Sequence, residues 1–270
     1  MVDDEGIPIV PGVRPGLRVA ISAGAAGIGR AIAETFIAHG ARIALFDIDE
    51  AALAGFQAAH PGHLTTVADA GSTHDVERFA SAALAHLGGL DVLVNNAGIA
   101  GPTAPLEDIT AAQWRRTVDV NLNGMFDLTR CMVPALRAAA GEHDAAWITN
   151  LASVAGRLGF AHRTPYAATK WGVVGLTQTL SMELGPAGIH VNALLPGPVE
   201  GERIERVFEG KAAALGISPE QAKADNLAKV ALRRLVRAQD IANMAVVLCS
   251  PLGRSVAGQP LSVCGHVVAL

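Results

Sequence analysis

The chain has 270 residues, half of them hydrophobic and 17% charged, with a formal net charge of −4. That length can bury a sizeable core, the composition excludes a disordered chain, and the acidic balance without a basic block argues against a nucleic-acid partner or a polybasic membrane anchor. No apolar run approaches the ~18 residues of a membrane span, Met1-Val2-Asp3-Asp4-Glu5 opens no signal peptide, and Cys131, Cys249 and Cys264 are odd in number and far apart, so a cytoplasmic protein with reduced thiols is expected.

Residues 1–16 hold Pro8, Pro11 and Pro15, lack an apolar period, and read as an irregular arm. The run Leu17–Ser22 predicts a first strand. Ser22-Ala23-Gly24-Ala25-Ala26-Gly27-Ile28-Gly29 follows it and opens a helix over Arg30–Ala38. Glycines in such a turn let backbone amides approach a pyrophosphate, with the helix N-terminus facing the negative charge. A second strand, Ile43–Phe46, closes on Asp47, eighteen residues after Gly29, where a carboxylate can accept the hydroxyls of an adenosine ribose. Asp47 would repel a 2′-phosphate, and Ala26 and Ile48 beside it are uncharged, so NAD is favoured over NADP; Arg30 is the one cation close by in sequence. A plain helix-capping role for Asp47 is compatible with ribose binding. His60 and His63 flank a Pro-Gly turn, with no cysteine or carboxylate cluster to complete a metal site.

Helical residues run to about Ala59, followed by a strand at Leu64–Val67, a helix at Val76–Leu87 and a strand at Leu90–Val94 that leads into Asn95-Asn96-Ala97-Gly98. Ala112–Ala138 reads as a long helix with an early break. Ala146–Leu151 is the next strand, Pro165–Leu184 the next helix, and Ile189–Leu195 a strand ended by Pro196. Asp240–Cys249 predicts a helix and Pro260–Val263 a last strand. This alternation argues for one α/β domain over residues 17–270, a doubly wound parallel sheet with helices on both faces. Residues 200–236 are polar and helix-prone; inserted after a strand's carboxyl end, they are placed to cover a site there.

Within the helix at Pro165–Leu184, Tyr166 and Lys170 stand four residues apart and so share a face. A free tyrosine, with a pKa of about 10, is a poor base at neutral pH, and a neighbouring cation favours the phenolate. Lowering that pKa by about three units takes roughly 4 kcal/mol, at ~1.36 kcal/mol per unit. Taken singly, Tyr166 and Lys170, Ser153, or Asn121 read as ordinary surface, loop or cap residues; their joint presence carries the argument.

With the glycine loop, Asn95–Gly98, Ser153 and Tyr166-x-x-x-Lys170 in this order, the chain resembles the short-chain dehydrogenase/reductases from about Leu17 to the C-terminus. The resemblance implies a sheet of about seven strands, a nicotinamide cofactor and a homotetramer. It implies Tyr166 as general acid/base, Lys170 as the cation beside it and a ligand of the nicotinamide ribose, Ser153 as a hydrogen-bond partner of the reacting oxygen, and Asn121 as the holder of a relay water. The cofactor would lie along Ser22, Gly24, Gly27, Ile28 and Gly29, with Asp47 and Ile48 at the ribose and Ala68 and Asp69 at the adenine edge. Asn96, Ala97 and Gly98 would lie beside it, and Pro196, Gly197 and Val199 by the nicotinamide amide. Val154, Arg157, Leu158, Phe160, His162 and Arg163 would line the substrate pocket, with Glu200, Glu202 and Arg203 opening the covering segment. A guanidinium fork at Arg157 or Arg163 would suit an anionic alcohol; arginine in solvent or at a subunit contact is the alternative. Three positions depart from the family pattern: Ala23 stands where glycine is usual, Gly201 replaces a threonine near the nicotinamide amide, and Cys264 replaces an acid after the last strand.

The expected activity is NAD-dependent interconversion of a secondary alcohol and a ketone. The alternatives are an NADPH-dependent 3-oxoacyl or other carbonyl reductase with a carrier-protein partner, a non-catalytic nucleotide-binding regulator and, more remotely, a halohydrin-lyase-like activity.

Overall fold

The computed structural model describes Val2 and residues 6–269; Met1, Asp3, Asp4, Glu5, Leu270 and the side chains of Arg203, Lys211, Ala214 and Leu215 lie outside that description, and with them most of the acidic start and the expected role of Arg203. Seven apolar runs form one sheet: β1 (Arg18–Ser22), β2 (Arg42–Asp47), β3 (Leu64–Val67), β4 (Val92–Asn95), β5 (Ala146–Leu151), β6 (Ile189–Pro196) and β7 (Pro260–Val263). All pairings are parallel, in the order β3-β2-β1-β4-β5-β6-β7. β4 is buried throughout and β1, β2 and β6 nearly so, as a parallel sheet covered on both faces requires. The order reverses between β1 and β4, so their carboxyl ends open a crevice where doubly wound sheets bind ligands.

Period-two alternation sorts the side chains into two cores. Val19, Ile21, Ile43 and Leu45 point to one face, against α1 (Gly27–Ala38), α2 (Glu50–Ala59) and α9 (Ala238–Leu248). Ala20, Ala44 and Phe46 point to the other, against α3 (Thr73–Leu87) and α5 (Gly124–His143). Phe46 meets Phe79 of α3 edge-on, with ring centroids 4.7 Å apart. Helix starts follow capping rules where the residues allow: Asp49 caps α2, Ser72 caps α3, and Thr110 with Gln113 forms a capping box on α4 (Ala111–Val118). α1 differs, because its N-cap is Ala26, which offers no side-chain acceptor to the first-turn amides.

Residues 6–16 contain no helix or strand, only an isolated bridge of Pro8 to Val2, yet they are fastened. Val10 N–H donates to His39 Nε2 at 2.8 Å, and Arg14 joins Arg18 on the buried Asp91 carboxylate at 2.6 and 2.8 Å. Burial by itself would raise the Asp91 pKa, but the hydrogen bonds from Arg18 and Arg14 outweigh it and hold the carboxyl below its ordinary range.

The predicted helix over 112–138 is three pieces. α4 gives way to a single π-helical turn, Asp119–Asn123, before α5 begins. After β6 the chain leaves the sheet as α7 (Glu202–Leu215) and α8 (Pro219–Leu227), which enclose a small core of Phe208, Ala212, Ala222 and Leu235. The ends of this excursion are joined at its base, where Glu200 N donates to Val236 O and Val236 N to Pro198 O, both at 2.9 Å. Among the described residues no helix is long and apolar enough to cross a membrane, and no group of three or more His, Cys, Asp or Glu could hold a metal ion.

Candidate active site

The crevice is built from backbone held by short polar side chains. Ser22, at the end of β1, turns its hydroxyl toward β4 and accepts from Asn96 N at 2.9 Å and Ala97 N at 3.0 Å. Asn96 returns a bond from Nδ2 to the Ala23 carbonyl at 2.8 Å. The glycine loop and the Asn-Asn-Ala-Gly turn are thereby one unit. Two of its glycines have no room for a side chain: a Cβ on Gly24 would lie 2.8 Å from Leu45 Cβ, and one on Gly29 would overlap the Ala23 carbonyl oxygen. Ile28 sits half-buried in the first turn of α1. At the end of β2 the buried Asp47 carboxylate accepts from Ala25 N (3.1 Å) in this loop and from Ile48 N (2.8 Å). Ile48 itself is exposed. Bare first-turn amides, glycines too crowded for a Cβ and an acid at the next strand's end fit the pyrophosphate and ribose of a dinucleotide. Arg30 is directed along α1, where its Nε donates to Glu34 at 2.7 Å.

Ala23 keeps the turn that glycine would make by adopting φ +50°. A left-handed conformation costs an L-residue about 1–2 kcal/mol, and glycine would give back roughly 0.5–1 kcal/mol in chain entropy. Ala23→Gly is therefore expected to stabilise the protein by about 1 kcal/mol, raising Tm by roughly 2–4 °C. A thermal melt in which the variant unfolds at or below the wild-type temperature would show that this residue stores no strain.

Ala68 is buried beside the crevice, and Asp69 follows it. The Asp69 carboxylate accepts from Gly71 N (2.8 Å) and from both Nη atoms of Arg116 (2.9 and 3.0 Å). Partial burial opposes its ionisation, yet Arg116 and the Gly71 amide hold the carboxyl below the usual range. Sequence reasoning missed Arg116, whose pairing across the crevice leaves no local signal.

Asn121 lies in the π turn, fully buried. Its Oδ1 accepts from Ile99 N at 2.7 Å, and its Nδ2 donates to Ile99 O (3.0 Å) and Thr169 Oγ1 (3.1 Å). π turns of this kind recur at functional sites. A Cβ on Gly98 would sit 3.3 Å from Lys170 Nζ and 3.4 Å from Asn121 Oδ1, so these three residues converge. Two further polar residues that went unread, Asn150 and Thr177, extend a buried chain behind them: Asn95 Nδ2 donates to Asn150 at 2.8 Å, and Asn150 Nδ2 to Thr177 at 2.9 Å.

α6 (Thr164–Leu184) starts with Pro165 in its first turn, where the missing N–H costs nothing. It presents the half-buried Tyr166 and the buried Lys170 on one face, with Nζ 5.8 Å from the phenol centroid and donating to Leu151 O at 2.7 Å. Ser153 follows β5; its buried hydroxyl accepts from Ala155 N at 3.2 Å. The turn it opens is drawn onto α6, since a Cβ on Gly156 would lie 2.7 Å from the Lys170 carbonyl oxygen.

The predicted pocket residues divide. Val154 is buried, Leu158 and Phe160 are half-buried, and His162 is exposed at φ +61°. Arg157 is turned onto β7, donating to Ser262 Oγ at 3.2 Å and to the Pro260 carbonyl. Arg163, 6% exposed, stands over the Tyr166 ring. On the other side of the crevice Pro196 is buried, Val199 bridges Val236, and Gly197 N donates to Val263 O at 3.0 Å. Gly197 lies against the backbone of Cys264, where a Cβ would come within 2.8 Å of Cys264 Cα. Gly201, the N-cap of α7, has φ +128°, a conformation that threonine rarely adopts.

A family model described as enoyl-(acyl carrier protein) reductase matches residues 23–265. The chain is 38% identical to trans-4-hydroxycyclohexanecarboxylate dehydrogenase of Sinomonas cyclohexanicum, over 68% of this chain and 73% of that one. Among solved structures, 7α-hydroxysteroid dehydrogenase complexed with NADH and 7-oxo glycochenodeoxycholic acid matches with a TM-score of 0.84 at 30% identity, covering 95% of this chain and 96% of that one. Actinorhodin polyketide ketoreductase with NADPH matches with a TM-score of 0.85 at 31% identity, covering 93% and 96%.

Proposed function

The chain belongs to the short-chain dehydrogenase/reductase family of oxidoreductases, and on that premise we propose that it is an NAD-dependent dehydrogenase interconverting a secondary alcohol and a ketone. The observation that carries this reading is the convergence of Gly98, Asn121 and Lys170 beside Tyr166 at the mouth of a crevice shaped for a dinucleotide. When bound, the nicotinamide cofactor supplies the hydride chemistry. Ser22, Gly24, Gly27, Ile28 and Gly29 would hold its phosphates, Asp47 and Ile48 its adenosine ribose, and Ala68 and Asp69 its adenine edge, with Asn96, Ala97, Gly98, Pro196, Gly197 and Val199 holding the rest. Tyr166 takes the proton of the alcohol oxygen in oxidation and returns it in reduction. Lys170, steadied on the Leu151 carbonyl, sets a positive charge beside the negative charge that forms on the phenol oxygen and binds the nicotinamide ribose. Ser153 donates to the reacting oxygen, and Asn121 fixes the turn through which the proton relay runs. α7 and α8 cover the substrate. The functional unit is a cytoplasmic homotetramer.

NAD is chosen over NADP on three local grounds. Asp47 ends β2, Ile48 beside it carries no charge, and Arg30 is engaged by Glu34. A charge-assisted hydrogen bond from a ribose hydroxyl to Asp47 is worth about 1.5–3 kcal/mol, or roughly 10–100-fold in affinity. Fluorescence titration should therefore find NADH bound at least about tenfold more tightly than NADPH, with Asp47→Ala narrowing the gap. Tighter NADPH binding by the wild type would overturn the preference and favour the carbonyl-reductase reading, which the ketoreductase with NADPH supports. A screen of NAD reduction over polyols, hydroxy acids, steroids and sugars identifies the substrate.

A further inference from the structure

Arg163 has no part in the mechanism above, yet it is a cation 6% exposed at the start of the helix that carries Tyr166. Burying a guanidinium costs free energy that its surroundings must offset, and what surrounds this one is the reactive ring. Its central carbon lies 5.1 Å from the Tyr166 ring centroid and 5.2 Å from that of Phe160, while Nη2 donates to Ala100 O at 2.9 Å. Ala100 is two residues beyond Gly98, in the turn that Asn121 also grips through Ile99. One planar group thus touches the ring, an aromatic neighbour and the turn beside Lys170. A lysine could not stack on two rings and donate in its own plane at once.

We propose that Arg163 is a positioning residue for the phenol: it fixes the Tyr166 ring against the turn after Gly98 and adds a second positive charge to the field at the phenol oxygen. A cation over an aromatic face is held more strongly as that ring becomes electron-rich, so the contact favours the deprotonated ring. The cations standing over this ring are Arg163 and Lys170, at 5.1 and 5.8 Å. On the elements packed against α6, Arg157 is bound to β7, Asp119 accepts from Asn123, Arg116 is held by Asp69, Arg115 on α4 is exposed, and His190 lies toward the amino end of β6. The proposal rests on Tyr166 being the acid/base, but its test need not.

Tyr166 is the only tyrosine in the sequence, so ultraviolet phenolate absorbance reports its ionisation alone, with no substrate present. In Arg163→Met the titration midpoint should rise measurably, and in Arg163→Lys it should rise less. With substrate, Arg163→Met should lower kcat by roughly 30-fold, with KM and NADH affinity each within about threefold of wild type. Arg163→Lys, which keeps the charge but not the plane that meets both rings, should recover only a minor part of kcat. Coincident midpoints in wild type and Arg163→Met overturn the proposal, whatever happens to turnover. So does a loss of NADH binding as large as the loss of turnover, which would mark Arg163 as holding only the fold. Failure of the wild type to oxidise any alcohol would instead defeat the dehydrogenase reading and leave the titration result standing.

Discussion

Tyr166→Phe is expected to lower kcat for alcohol oxidation by about 10²–10⁴-fold, the range that general acid–base catalysis contributes, while NADH binds within about twofold of wild type. The substitution removes one oxygen and keeps the ring, so the contacts that Arg163 and Lys170 make with its face are retained. What is lost is the atom that, in the proposed mechanism, exchanges a proton with the substrate. Neither neighbour replaces it: Arg163 stays protonated throughout the working pH range, and Lys170 is directed onto the Leu151 carbonyl at 2.7 Å. Comparing steady-state NAD reduction with NADH fluorescence titration separates chemistry from binding. A phenylalanine variant that keeps half of the wild-type kcat would remove Tyr166 from the mechanism. A wild type that binds NADH but turns over no alcohol or ketone would point to the nucleotide-binding regulator.

The sheet was legible because its strands are nearly unbroken apolar runs between helical stretches, a pattern set by burial on both faces and therefore written locally. The helix after the glycine loop begins at Gly27, not Arg30; poor glycine propensity hides a first turn that the crevice needs. The break between Ala112 and Ala138 was visible, but its nature as a π turn that buries Asn121 depends on contacts with Ile99 and Thr169. Asp69 with Arg116 and Asn95 with Asn150 meet across 47 and 55 residues, and no local period encodes such meetings. Arg157 and Arg163 looked interchangeable in sequence. One folds onto β7 and the other onto Tyr166, a difference set by side-chain direction after Ser153 and visible only in three dimensions.

Gly29→Ala tests whether the crevice depends on bare backbone rather than on any side chain. In the first turn of a helix, alanine should gain up to about 1 kcal/mol over glycine by propensity alone. Here its Cβ would overlap the Ala23 carbonyl oxygen and come within 2.6 Å of Asn96 Nδ2, the two partners of the 2.8 Å bond that ties the loop to the turn after β4. Overpacking of this kind costs about 1–3 kcal/mol or more; Asn96 Nδ2 ends a side chain, but the Ala23 oxygen belongs to the backbone and cannot yield alone. The loop has to move, and a cost approaching ~3 kcal/mol carried into binding is roughly 100-fold in affinity. NADH affinity is therefore expected to fall by about that factor, with a lowered Tm. Two companion substitutions divide the causes. Gly55, on the exposed side of α2, has nothing within 4 Å of a Cβ, so Gly55→Ala should leave NADH binding unchanged and raise Tm slightly. Gly27 also has open space but sits at φ +53°, so Gly27→Ala isolates the backbone strain and should weaken binding less than Gly29→Ala. Wild-type NADH affinity in Gly29→Ala would mean that the phosphates do not lie against this loop, and the dinucleotide assignment of the crevice would fall with it.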